Sequence, residues 1–348
     1  MTTRHGTDMS STTLVVTGYG LKIRVENTYL KINHGVGDNQ RLEVFARSSC
    51  KLERIVVLGY TGYVSLEAVR WLSDMEIQCT VLDSDSNVIA TWGPERRATT
   101  QLRVMQCLAS QSPAGIEFTR WLLSRKFVGH LNVLESLGAD RAVSIIKNHL
   151  TSLQSLDGDI PAFRLVEAAA ANTYWEALQN TPTKWARGQE VPEHWQTLQP
   201  RGHGLSSNRH ATDPINALLN YGYALAAFEA KIAITAAGFD AGFGILHSNL
   251  EYRDNFVWDV VEGLRSVVDV ATLEYVTKTT TFVKDCAVGK NHHVVYECRD
   301  GEVRLDDVVR KEITGKLLSQ LRIAAQSFTR EAREVLTDVS ASIIAKVG

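Results

Sequence analysis

The residues of this chain best suited to chemistry are three carboxylates and one imidazole. They are Glu167 in "AFRLVEAAAANTYWEAL", His247 at the end of "GFDAGFGILH", and Asp259 and Glu262 in "RDNFVWDVVEG". Taken singly, each has an ordinary structural explanation. Glu167 has Phe163 and Ala171 one helical turn away, with Ala170 and Tyr174 on the same stripe, so its carboxylate runs along an apolar face. An ion pair with Arg164, or a place at the margin of that face, would account for it. Ala168 to Ala171 favour another reason, because small side chains let a backbone or a substrate come close. Asp259 and Glu262 share a helix face that continues through Ser266 and Asp269, the layout of a solvated face. His247 follows a path loosened by Gly242 and Gly244, and a lone histidine is commonly structural.

Together the four carry more. One imidazole and two or three carboxylates from separate segments make the mixed nitrogen and oxygen shell that suits Mg2+ or Mn2+. An ion held that way stabilises charge on a phosphoryl oxygen and activates an attacking hydroxyl, which points to phosphodiester chemistry. Zinc is disfavoured, since neither thiolates nor a second nearby histidine accompany the set.

Positioning such groups falls to two different kinds of chain. Up to residue 94, short β-rich runs alternate with turn signals: "TLVVTG", "LKIRVEN", "TYLKINHG", "RLEVFAR", "ERIVVLG", "IQCTVLD" and "NVIATWG". Their β-branched content and spacing predict antiparallel strands. "VSLEAVRWLSDM" interrupts them with Leu66, Val69 and Leu72 at helical spacing. From residue 95 the period becomes helical, through "ERRATTQLRVMQCLAS", "IEFTRWLLSRKFVGHLNVLESLG", "ADRAVSIIKNHLTSLQSL" and "DIPAFRLVEAAAANTYWEALQ". A polar stretch around residues 181–211 predicts a long loop. Helix resumes at "DPINALLNYGYALAAFEAKIAITAAG", where Pro214 suits a first turn and Gly238 a stop. The segment of Asp259 and Glu262 follows, then a hairpin in "HHVVYECRDGEVRL" and a helical tail. The expected fold class is α+β: a polar tail over 1–12, a small N-terminal β-rich domain over 13–94 and a larger, mostly α-helical domain over 95–348.

Composition agrees with this plan. With 348 residues, 44% hydrophobic and 22% charged, the chain has material for two packed cores. A net charge of -2 argues against a protein that coats nucleic acid over its whole surface, yet leaves room for a local basic patch. Five scattered cysteines without a CxxC pair fit reduced thiols, and no signal-like or membrane-length apolar stretch occurs, so a cytoplasmic location with no membrane association is expected.

The stretches "EAAAANTYW", "RHATDPINALLNYGYAL", "GFDAGFGILH" and "RDNFVWDVVEGLRSVVD", with "GYTGYVSLEAVRWLSDMEIQCTVLD" in the β half, resemble the first CRISPR-associated core protein family. That family comprises the endonucleases and integrases of spacer acquisition. The likeness covers most of residues 13–275, and departs from the family's usual pattern at "EGLRSV", "KFVGHL" and "GFDAGFG". It implies an N-terminal domain that forms a homodimer and a helical domain that binds a divalent metal. It places metal ligands on Glu167, His247 and Glu262, with Asp259 at a second acidic position beside them. It also implies insertion of short donor DNA into a CRISPR repeat array, by attack of a 3′-hydroxyl on a phosphodiester. The partners are then double-stranded DNA with free 3′ ends, CRISPR repeat DNA and a small second acquisition protein.

Phosphate contacts would come from basic side chains. Arg97, Lys126 and Arg209 head the candidates, with Arg96, Arg103, Arg125, Arg201, Lys284 and Lys290 behind them; each also fits a solvated helix face. Trp185 and Trp195 in the long loop suit anchoring or base stacking. Two other functions use the same residues: a metal-dependent nuclease or phosphoesterase that only hydrolyses, and a dimeric DNA scaffold with a silent metal site.

Overall fold

A computed structural model describes residues 2–5, 12–17, 20–35, 40–59, 61–83, 88–93, 98–109, 111–185, 193–199, 211–247, 253–278, 281–283, 294–297 and 303–347. The chain divides into two compact units, Met1–Glu95 with Asp307–Gly315, and Arg96–Asp306 with Lys316–Gly348.

The first unit is built from strands β1 (Thr2–His5), β2 (Thr13–Thr17), β3 (Leu21–Glu26), β4 (Tyr29–His34), β5 (Arg41–Phe45), β6 (Arg54–Leu58), β7 (Gly62–Val64), β8 (Gln78–Leu82) and β9 (Val88–Trp92), with helix α1 (Leu66–Asp74) before β8. One sheet has the order β1-β5-β4-β3-β7 and the other β2-β6-β8-β9. The expected antiparallel pairing holds for β3, β4 and β5, which follow one another through short turns. In the second sheet it holds for β8 and β9 but fails for β2, β6 and β8, which run parallel. Parallel neighbours need a crossover, and the segment carrying β7 and α1 supplies one between β6 and β8. All five residues of β6 are buried, as befits a central strand covered on both faces. The opening strand β1 falls inside the stretch expected to be a tail, and pairs in parallel with β5.

Helix α1 also differs from its expected face. Leu66 is 82% exposed, while Ala68, Trp71 and Leu72 face the core. The bulk of Trp71 sets this rotation, and its indole N–H donates to the Thr28 carbonyl at 3.2 Å. Ser65 caps the helix by accepting from the Ala68 N–H.

The second unit holds α2 (Thr100–Ala109), α3 (Pro113–Leu137), α4 (Asp140–Ser155), α5 (Ile160–Asn180), α6 (Pro214–Ala237), α7 (Asn255–Lys278) and most of α8 (Asp307–Val347), with short strands β10 (Thr281–Val283), β11 (Val294–Glu297) and β12 (Val303–Leu305). Helix α6 starts and stops as its residues dictate: the Asp213 carboxylate accepts from the Asn216 N–H, and Gly238 ends the helix at φ 85°. The strands β11 and β12 of the expected hairpin pair antiparallel, β10 adds a parallel edge, and the residues that join β11 to β12 lie outside the described ones. Within the long loop, Trp195 is wholly buried and anchors its segment.

Helix α7 packs against both α6 and α3. Aromatic side chains fill the joint, with the Phe118 and Phe256 rings 6.0 Å apart and Trp121 and Phe328 4.7 Å apart. Where α3 crosses α7, Gly129 leaves the room that Ser266 occupies: a Cβ there would lie 2.6 Å from the Ser266 hydroxyl. No helix among the described residues is long and apolar enough to cross a membrane.

Candidate active site

Three helices bring polar side chains to one place in the second unit. Asp159 opens α5 by accepting from the Ala162 N–H, and two turns on the helix carries Glu167, whose side chain is 25% exposed. Helix α3 contributes Lys126, only 5% exposed, and α7 contributes Glu262, 7% exposed. The Lys126 ammonium joins them, ion-paired with Glu167 Oε1 and 2.7 Å from Glu262 Oε2. One cation thus bridges carboxylates from different helices.

Glu262 has a second partner. Arg265, one turn along α7, donates from Nε and from a terminal nitrogen to both its oxygens at 2.8 Å. Burial would raise the Glu262 carboxyl, but the charges of Arg265 and Lys126 and their hydrogen bonds prevail and hold it well below the usual range. For Arg265 the same attraction outweighs burial and raises the guanidinium above its ordinary value.

His247 arrives on a loop rather than a helix, and that loop is pinned from several sides. Gln106 on α2 is buried and bridges to it, donating to the carbonyls of Asp240 and Phe243 and accepting from the Asp240 N–H. Arg164 donates to the Leu246 carbonyl at 3.0 Å. Asp259, with no exposed surface, accepts from the backbone N–H groups of Ile245, Leu246 and His247 at 2.6, 3.2 and 3.0 Å. Gly244 allows the tight path: a Cβ on it would lie 2.7 Å from that of Asn255. The His247 ring then meets Asp259, Nδ1 to Oδ1 at 2.7 Å. Burial lowers the His247 pKa, yet the hydrogen bond and charge of Asp259, with the charge of Glu262, raise it overall.

Deeper along the same face of α7, Asp269 accepts from the phenols of Tyr174, at 2.6 Å, and Tyr223. Arg265 lies 4.8 Å over the Tyr223 ring, so the two carboxylates are linked through it. His130, stacked on Tyr174 at 3.9 Å between centroids, is pushed by burial to a pKa of about 3 and stays neutral.

Several expectations change. The face of Asp259, Glu262 and Asp269 is not a solvated one; all three are buried, and the exposed residue of that turn is Trp258, at 38%. Each buried carboxylate has partners, which is what makes its burial tolerable. Glu167 pairs with Lys126 rather than with Arg164, which instead holds the loop of His247. Lys126 in turn lies inside the cluster with its ammonium engaged, so it is not a surface contact for phosphate. Arg97 and Arg209 fall outside the described residues, as do Arg96, Arg201, Lys284 and Lys290. Arg103 pairs with Asp240 at 2.9 Å and Arg125 with Glu331. The role of Arg265 is not legible in sequence because it also depends on Tyr223 of α6, though its place three residues after Glu262 is a recognisable ion-pair spacing. Among the described residues, no three His, Cys, Asp or Glu side chains stand around one point as metal ligands do. Glu167 and Glu262 close on the lysine, and the His247 ring faces Asp259.

The family model for CRISPR associated protein Cas1 matches residues 14–318. A CRISPR-associated endonuclease Cas1 of Archaeoglobus fulgidus is 25% identical over 327 residues, 88% of each chain. Among solved structures, a casposase bound to integration product superposes with a TM-score of 0.70 at 21% identity, over 94% of this chain and 91% of that one. A Cas6-RT-Cas1–Cas2 complex gives 0.64 at 16% identity, over 97% of this chain and 36% of the other. These structural likenesses establish a shared fold, and the match of the family model across most of the sequence establishes descent: the chain belongs to the Cas1 family of CRISPR-associated proteins.

Proposed function

We propose that this chain is a divalent-metal-dependent DNA endonuclease and integrase that joins the 3′-hydroxyl of a short donor DNA to a phosphodiester in a CRISPR repeat. Family membership supports the setting, and so do the relative named as an endonuclease and the structural neighbour holding an integration product. The observation that carries the chemistry is the meeting of Glu167 and Glu262 on a single cation, with His247, paired to Asp259, within electrostatic reach of Glu262 and Lys126.

By chemical type, though not in their present arrangement around Lys126, the residues fit Mg2+ or Mn2+. A hard divalent cation prefers anionic oxygens with at most one imidazole. Two carboxylates here already share a positive charge, and the ammonium between them stands where such an ion would be attracted. Glu167, Glu262 and His247 would hold the ion; when bound, it supplies charge neutralisation at the phosphoryl oxygen and makes a nearby hydroxyl more acidic. The remaining steps belong to the chain. Asp259 fixes both the backbone and the ring of His247, which restricts the ring to one orientation through Nδ1. Arg265 keeps Glu262 ionised and still. Ion pairs that hold these side chains before DNA arrives reduce the reorganisation left for the reaction.

Double-stranded DNA with free 3′ ends and the repeat are the substrates under this reading, with a small Cas2-like protein as partner, as in the complex containing Cas1 and Cas2. A homodimer accompanies it, expected to show twice the 38.6 kDa of one chain in sedimentation. The deciding assay supplies donor duplex and a repeat-bearing target with Mn2+, with Mg2+ or with chelator, each with and without that partner. Joined donor–target strands that vanish with chelator are the expected product. Cleavage without joining would reduce the protein to a hydrolase, and no product under any condition would leave a scaffold.

A further inference from the structure

Lys126 is unusual for a buried lysine in having two acidic partners from different helices and almost no exposed surface. Glu262 Oε2 receives the ammonium at 2.7 Å and also the Arg265 Nε at 2.8 Å, so that oxygen is already saturated with positive donors. A dication added beside it would sit close to both, in a site with little water to screen them. One of the two cations has to go. Arg265 grips Glu262 with two parallel bonds, lies on the Tyr223 ring and feels Asp269 behind it. Lys126 has a point charge on a flexible four-carbon stem, and its loss from the site breaks single contacts only.

We propose that Lys126 is a built-in counter-ion: its ammonium holds Glu167 and Glu262 together in the metal-free protein and is expelled from between them when a divalent cation binds. This rests on the reading of the site as one for a divalent cation. It makes Lys126 a positioning residue, which keeps mutually repelling carboxylates assembled in advance and weakens the site for any cation too poor to displace it. The lysine therefore sets a threshold on metal binding. The same arrangement explains why the described side chains show no three-ligand cluster while having the composition of one.

The test is a calorimetric titration of the full chain with Mn2+ alone, for wild type, Lys126→Met and Lys126→Arg. Removing the competing charge while keeping the length of the side chain should tighten Mn2+ binding at least about tenfold, in line with the coupling seen between buried charges. Lys126→Arg retains the charge and should bind no more tightly than wild type. Equal or weaker binding by Lys126→Met overturns the proposal. Absence of Mn2+ binding in wild type and Lys126→Met alike overturns the metal reading itself, and this inference with it. Because loss of a buried ammonium can also unfold the chain, wild type provides a second measurement: acetic anhydride labelling of Lys126 read by mass spectrometry. Labelling several-fold greater with saturating Mn2+ than with chelator is expected; labelling unchanged or reduced by bound Mn2+ overturns the proposal.

Discussion

Glu167 and Glu262 share a lysine but differ in what their loss would do. Glu167 is a quarter exposed, and without it Lys126 still has Glu262. Glu167→Ala should therefore fold, keep its DNA affinity in a gel-shift titration and lose strand transfer by at least about a hundredfold, since phosphate tethering and catalysis are separate contributions. Glu262→Ala takes the two-bond partner from Arg265, whose side chain is 24% exposed, and leaves the buried Lys126 with Glu167 alone; breaking a buried pair costs up to about 3–5 kcal/mol, so a drop in its denaturation midpoint should accompany the loss of joining. The same carboxyl gives an acid limb to stability. Its folded pKa lies well below the ordinary 4.5, so its contribution is complete above that value and disappears as pH falls through the folded one. His247 acts in the opposite direction. Its folded pKa is raised above 6.5, so the pair with Asp259 stabilises fully below that value and fades as pH rises through the folded one. Denaturant melts of His247→Gln and wild type should thus differ most on the acid side of neutrality and converge under alkaline conditions.

At the scale of elements, the loop before α7 and the crossing of α3 on α7 do the positioning. Asp259→Ala would leave three backbone N–H groups at residues 245–247 without their acceptor and free the His247 ring. A loss of about 1–3 kcal/mol per unsatisfied buried group is typical, so thermal denaturation should show this variant to be strongly destabilised. Gly129→Ala tests the crossing: its Cβ would overlap Ser266 Oγ and Cβ, at 2.6 and 2.7 Å, one turn from Lys126. Overpacking of this kind costs about 1–3 kcal/mol, to be read in the same melts. A Gly129→Ala protein as stable as wild type would mean that the helices separate easily there.

Much of the whole molecule was legible in its residues. Alternating β-branched runs marked seven of the strands in the first unit, and long helical periods marked α2 to α7, because local patterning records which side of each element faces a core. Pro214 and Gly238 even located both ends of α6. Pairing order was not legible. β2 beside β6, and β6 beside β8, join residues some forty and twenty-four positions apart, and nothing in a strand's own sequence names its neighbour. The same limit applied to the site. Glu167, His247, Asp259 and Glu262 could be picked out by type, yet the burial of the α7 polar face depends on Lys126, Tyr174 and Tyr223, which lie on α3, α5 and α6. Acids look solvated in sequence until the cations and phenols that cover them are in view.

Under this reading, Glu167, His247 and Glu262 take one divalent cation in place of the Lys126 ammonium. Anomalous diffraction from crystals of the protein grown with Mn2+ tests this directly. The expected result is a single peak among those three side chains, with the lysine withdrawn from between the two glutamates; a peak elsewhere, or Lys126 still seated between Glu167 and Glu262 at saturating Mn2+, would contradict it.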